Sequence, residues 1–136
     1  MIERNVLTLQ DAEIILAAGK AKALEIGVAM TLVVVDHSGH PVAGIRMDES
    51  PLMALAMAKQ KAYTAVGMGV PTSSWESVAN ENPSFAGSIT SIHKFTPFGG
   101  GIPVRAEGTL VGALGVSGGA VEEDIAVAEA GVAAFG

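Results

Sequence analysis

The run Thr31-Leu32-Val33-Val34-Val35 constrains the fold more than any other feature of the chain. It is too short for a stable helix and is almost entirely β-branched. It also breaks at once into the turn-forming stretch Asp36-His37-Ser38-Gly39-His40. A strand with hardly a polar position on either side has to be covered on both faces, so this run predicts a central strand between two layers. The composition allows such a core: hydrophobic residues make up 49% of the 136 positions and charged residues 16%. A chain of this length reads as one domain, residues 1–136, and buries about two-thirds of its unfolded surface. It is also apolar for a lone small domain, so part of the excess is expected to be covered by a subunit interface.

A second feature sharpens that expectation. Ser50-Pro51 is a helix start, and every residue from Pro51 to Ala58 is apolar. A helix that is apolar all round cannot rest a single stripe on a sheet and needs a further partner. Polarity returns at Lys59, Gln60 and Lys61, and the helix is expected to end near Gly67. An earlier helix begins after Thr8, which forms a capping box with Asp11. Its stripe is Leu9, Ala12, Leu16, Gly19, Ala23 and Ile26, and Gly27 ends it. Pro41–Ile45 reads as a strand after the Asp36–His40 turn, and Pro41 favours an edge position.

Residues 68–101, punctuated by Pro71, Pro83 and Pro97, are the least regular, with one short helix expected at Thr72–Glu76. Ile102–Ala106, the turn Glu107-Gly108-Thr109 and Leu110–Val116 predict a hairpin. The last helix spans about Ala120–Ala134, with a stripe of Val121, Ile125, Ala128, Val132 and Phe135. The order α-β-β-α-irregular-β-β-α predicts an α+β domain with a largely antiparallel sheet.

Charge and composition remove several classes of function. Eight Lys and Arg against fourteen Asp and Glu leave a net charge of −6, which argues against nucleic-acid or anionic-membrane partners. The chain has no cysteine, which excludes disulfides, thiolate metal sites and a cysteine nucleophile. The first residues lack a signal-peptide layout and no apolar run is long enough to span a bilayer, so a cytoplasmic location is expected.

Several residues carry candidate chemistry. Gly115-Val116-Ser117-Gly118-Gly119 has the Gly-x-Ser-x-Gly pattern of a nucleophile elbow. His37, His40 and His93 all precede Ser117, against the chain order of that triad, so Ser117 reads as a strand end or an anion-binding group. Eight of the seventeen glycines lie between Gly99 and Gly119, and the amides of Gly99-Gly100-Gly101 are candidates for holding a carboxylate or phosphate. Arg46 and Arg105 each follow a strand and suit a carboxylate clamp. His40 and His93 are candidate metal ligands, and Met30, Met47, Met53, Met57 and Met68 are soft packing or thioether groups.

Taken together, several segments resemble the GlcG/HbpS-like family, which includes the C-terminal domain of PduO-type proteins. They are Val33–Val42 with Arg46-Met47-Asp48, Ala58–Ala65, Gly99–Val104, Val111–Gly119 and the helix from Asp124 to Gly131. The likeness covers nearly the whole chain, and the ordered Gly-Gly-x-Pro and Gly-Val-Ser-Gly pair is specific. It implies a profilin-like five-stranded antiparallel sheet flanked by helices, a homo-oligomer, and binding of haem or a corrinoid in some relatives. Others lie beside genes for small-acid or diol catabolism. His40 falls on a common family histidine. Many relatives carry Ala-Thr and Gln-Asp where this chain has Gly119-Ala120 and Glu123-Asp124.

The expected function is therefore a small-ligand-binding protein, with haem or a related tetrapyrrole as its ligand. His40, Arg46, Met47, Gly99, Gly100, Gly101 and Ser117 are the binding residues, and His40 or His93 the iron ligand. The alternative is an enzyme acting on a small carboxylated metabolite. The sequence names no catalytic residue.

Overall fold

The computed structural model describes residues 1–136. The elements, in chain order, are α1 (Leu9–Ile26), β1 (Thr31–Asp36), β2 (Pro41–Arg46), α2 (Ala54–Met68), α3 (Ser74–Glu81), α4 (Pro83–Ile89), β3 (Gly101–Ala106), β4 (Thr109–Ser117) and α5 (Val121–Ala133). The four strands form one antiparallel sheet in the order β2-β1-β4-β3. The fold is α+β, as expected, but the sheet has four strands and not the five implied by the family resemblance. Between α2 and β3 the chain forms α3 and α4 instead of a further strand. Pro83 opens α4, where it costs no helical hydrogen bond, and this stretch lacks the alternation a strand requires.

β1 lies inside the sheet and is buried from Thr31 to Val35. Leu32 and Val34 join a core with Ile15, Leu114, Val116 and Val127 beneath α1 and α5. Val33 and Val35 pack on the other face with Ala58, Ala62, Ala65 and Ala113 beneath α2. This is the two-sided cover that the apolar run demanded. β2 is an edge strand, which accommodates Pro41.

α1 matches its expected limits. Thr8 accepts from the Asp11 amide, Asp11 accepts in return from the Thr8 amide, and Gly27 closes the helix at φ 73°. α2 differs at both ends. Ser50 is not its cap, because the Ser50 hydroxyl is bound to Thr31 Oγ1 at 2.8 Å, and the helix begins three residues after Pro51. It ends at Gly69, φ 72°, not at Gly67. The inward stripe of α5 is Asp124, Val127, Ala128 and Gly131, rotated from the expected one. In α3 and α4, Trp75 stacks on Phe85 at 5.9 Å between ring centres and meets Phe95 edge-on.

Glycine sets how closely α2 approaches the sheet. A Cβ at Gly115 would collide with the Ala58 carbonyl, and one at Gly101 with the Lys61 carbonyl. The helix backbone therefore lies directly on β3 and β4.

Candidate functional site

α2 carries Lys59, Gln60 and Lys61 in succession, and the helical period sends the third inward. Lys61 falls on the stripe Ala54, Ala58, Ala62 and Ala65 and is 1% exposed. A buried ammonium needs partners, and it has two: Nζ donates to the Val116 carbonyl at 2.9 Å and to Asp124 Oδ2 at 2.8 Å. Asp124, in the first turn of α5, is 3% exposed, and its Oδ1 accepts from the Gly119 amide at 2.9 Å. Burial raises the Asp124 carboxyl above its ordinary value, and the hydrogen bonds from Lys61 and Gly119 offset only part of that effect. This pair joins α2, β4 and α5.

Beside it lies a cavity of about 330 Å³ between the start of α2 and the start of α5. Lys61, Asp124 and Ser117 form its buried floor, with Gly118 and Gly119, and its sides are apolar: Met53, Met57, Phe98 and Val121. The Ser117 side chain, 3% exposed, has no hydrogen-bond partner in the protein. Its strand neighbour across the sheet is Thr31, whose own hydroxyl is taken by Ser50.

Of the candidate residues read from the sequence, Ser117, Met53 and Met57 line this cavity and the others do not. Gly99, Gly100 and Gly101 lie next to it but are buried. Gly101 N–H donates to Thr72 Oγ1 at 2.9 Å, and a Cβ at Gly100 would meet the Val116 carbonyl and Lys61 Nζ. Their lack of side chains serves close packing of α2 and α5 against β3 and β4.

Arg46 is exposed at the end of β2, two strands from Ser117 and roughly 10 Å across the sheet. It lines a separate groove with Leu55 and Lys59, and also a hollow shared with Met47 and Lys20. Arg105 donates to the Gly69 and Gly108 carbonyls at 2.8 and 3.2 Å, which explains it as a loop clamp. His40 is exposed on the β1–β2 turn, where its amide donates to Asp36 Oδ1. His93 is exposed beside Tyr63, 6.1 Å between ring centres, at a hollow of about 160 Å³. No three His, Asp or Glu side chains are grouped to hold a metal ion.

Sequence reasoning missed Lys61 and Asp124 as site residues. For Lys61 the signal was present, since it shares a helical stripe with Ala54, Ala58, Ala62 and Ala65; Asp124 lies off the stripe read for the last helix and shows inward only in the structure.

Residues 7–133 match the profile of the family described as haem degrading protein HbpS-like. An uncharacterised 15.0 kDa protein of the dhaT-dhaS intergenic region in Citrobacter freundii is 37% identical over 130 residues, covering 95% of this chain and 92% of its own. The Klebsiella pneumoniae protein ORFY superposes with a TM-score of 0.94 at 32% identity, covering 99% of this chain and 94% of that one. The structure of a PduOC:haem complex superposes at 0.89 with 31% identity, covering 96% and 95%. The corrinoid adenosyltransferase PduO of Citrobacter freundii is 33% identical over 130 residues, and the chain spans 39% of that protein's length. A profile match over residues 7–133, together with relatives above 30% identity along almost the whole chain, makes this chain a member of the HbpS-like family.

Proposed function

We propose that this protein binds haem or a related tetrapyrrole at the cavity beside α2, acting as a single domain in a homo-oligomer. The observation that supports the reading is the chemistry of the cavity's sides. Met53, at the residue that opens α2, and Met57, one helical turn further on, line the cavity together with Phe98 and Val121. An apolar flank suits a flat macrocycle, and a thioether is an established donor to haem iron. All three imidazoles, His37, His40 and His93, are exposed and outside this cavity. Met53 or Met57 would therefore hold the iron in this reading, in place of His40 or His93. When bound, haem supplies an iron centre for redox or oxygen chemistry.

At about 330 Å³ the cavity lies at the low end of the ~300–1,000 Å³ of small-molecule sites. A larger ligand would need further cover, which a second copy of the chain would supply in the proposed oligomer. The test is a haemin titration of the wild type, of Met53→Ala/Met57→Ala and of His40→Ala, followed by Soret absorbance. A saturable shift that the double variant loses, and His40→Ala keeps, is the expected result. Loss in His40→Ala alone would move the iron to the β1–β2 turn and overturn the placement. A non-saturating rise in the wild type would overturn haem binding.

A further inference from the structure

The floor of the cavity has a chemistry distinct from its sides. Lys61 Nζ carries three protons, and the Val116 carbonyl and Asp124 Oδ2 take two of them. Ser117, almost completely buried, brings a hydroxyl to the same floor with no protein partner. Ser117 Oγ makes none of the protein's side-chain hydrogen bonds and is reached from the cavity, so its hydroxyl and the third Lys61 proton are the polar groups that an acceptor from outside the chain would meet there.

Charge decides which acceptor. The Lys61 ammonium is matched by the Asp124 carboxylate, so the pair has no net charge to offer. Glu123 Oε1 lies beside Gly119, where it accepts from the Ala120 amide at 2.8 Å. An entering carboxylate would meet this surplus of negative charge in a poorly solvated site, which is unfavourable. A neutral oxygen meets no such opposition. Arg46 and Arg105, the cations that would recognise an acid, are elsewhere.

We propose that Ser117 and Lys61 form a subsite for the neutral acceptor oxygen of a small carbonyl compound, an amide, ketone or aldehyde, whose apolar part lies between Met57 and Val121. The subsite lies in the cavity proposed for the tetrapyrrole, but it rests on the floor and not on the sides, and does not depend on that reading.

Isobutyramide and isobutyrate, equal in shape and different in charge at pH 7, test it by titration into ¹⁵N-labelled protein. Isobutyramide should give saturable shifts of the Ser117, Gly118 and Gly119 amides, with isobutyrate at least tenfold weaker. Ser117→Ala should weaken isobutyramide about fivefold, the size of one lost hydrogen bond of about 1 kcal/mol. Equal or tighter binding of isobutyrate would overturn the inference, as would saturable shifts that map elsewhere or a folded Ser117→Ala variant that binds as the wild type does. If that variant does not fold, the amide-against-acid comparison on the wild type decides alone. The two readings fail separately: no Soret shift removes the tetrapyrrole, and no saturable amide binding removes the subsite.

Discussion

Asp124 is held between opposing effects. Leaving water raises its carboxyl, while Lys61 and the Gly119 amide favour the charged form, and burial prevails. A carboxyl raised in the folded state holds its proton more tightly there than in the unfolded chain. Its contribution to stability is therefore fullest below the ordinary value of 3.8 and is lost as pH rises through the raised folded value. Urea unfolding across that range should show this downward component in the wild type, and it should be absent from Asp124→Asn. At neutral pH the same substitution leaves a buried ammonium without its counter-charge and should cost about 3–5 kcal/mol. The paired change Lys61→Met/Asp124→Leu removes both charges and should cost far less, or stabilise. A double variant as unstable as Asp124→Asn would contradict this account of the pair.

At the scale of elements, α2 is positioned by what the strands lack. Gly101 and Gly115 face one another across β3 and β4, and the Lys61 and Ala58 carbonyls rest on them. Gly115→Ala should push α2 away from the sheet and cost roughly 1–3 kcal/mol, as overpacking of a tight contact does, readable in a chemical melt. The same shift would displace Lys61, so the variant should also lose cavity binding. Gly108→Ala is a useful contrast: a Cβ there meets nothing within 4 Å, so any cost comes from its φ of 81° alone. The cap of α1 and the edge position of β2 were both legible from residues, because Thr8, Asp11 and Pro41 act through local backbone chemistry. The start of α2 was not, because the Ser50 hydroxyl is taken by Thr31, nineteen residues earlier.

Across the whole molecule, the start of α2 remains uncovered. Leu52 is 85% exposed and Met53 66%, and Leu55 and Met57 are also open. The sheet takes only Ala54 and Ala58 from this stretch. Exposed apolar surface concentrated in this way marks an interaction site. In the proposed homo-oligomer it is the contact, and Leu52→Glu/Leu55→Glu should reduce the sedimenting mass at micromolar concentration to 13.7 kDa. A wild type that already sediments at that mass would rule the oligomer out. No helix is long and apolar enough to cross a membrane, so that exposed face is not part of a spanning segment.

The sequence by itself determined the α+β class, the two strand pairs with the long helices around them, and the need for cover on both sides of Thr31–Val35, but not the second short helix α4. These depend on local propensity and on the period of apolar residues, which a single chain displays in full. The strand count was not read correctly: five were expected from the family resemblance and the sheet has four. Only the tertiary structure showed which side chains meet in one place. His40 and Arg46 were read as binding residues together with Ser117, and His40 or His93 as an iron ligand, yet strand register and turn position place these side chains on separate parts of the surface. Lys61 and Asp124 looked like ordinary helix charges, and they meet across sixty-three residues because α2 and α5 both pack against β4. Convergence of distant residues is a property of packing, and no local pattern encodes it.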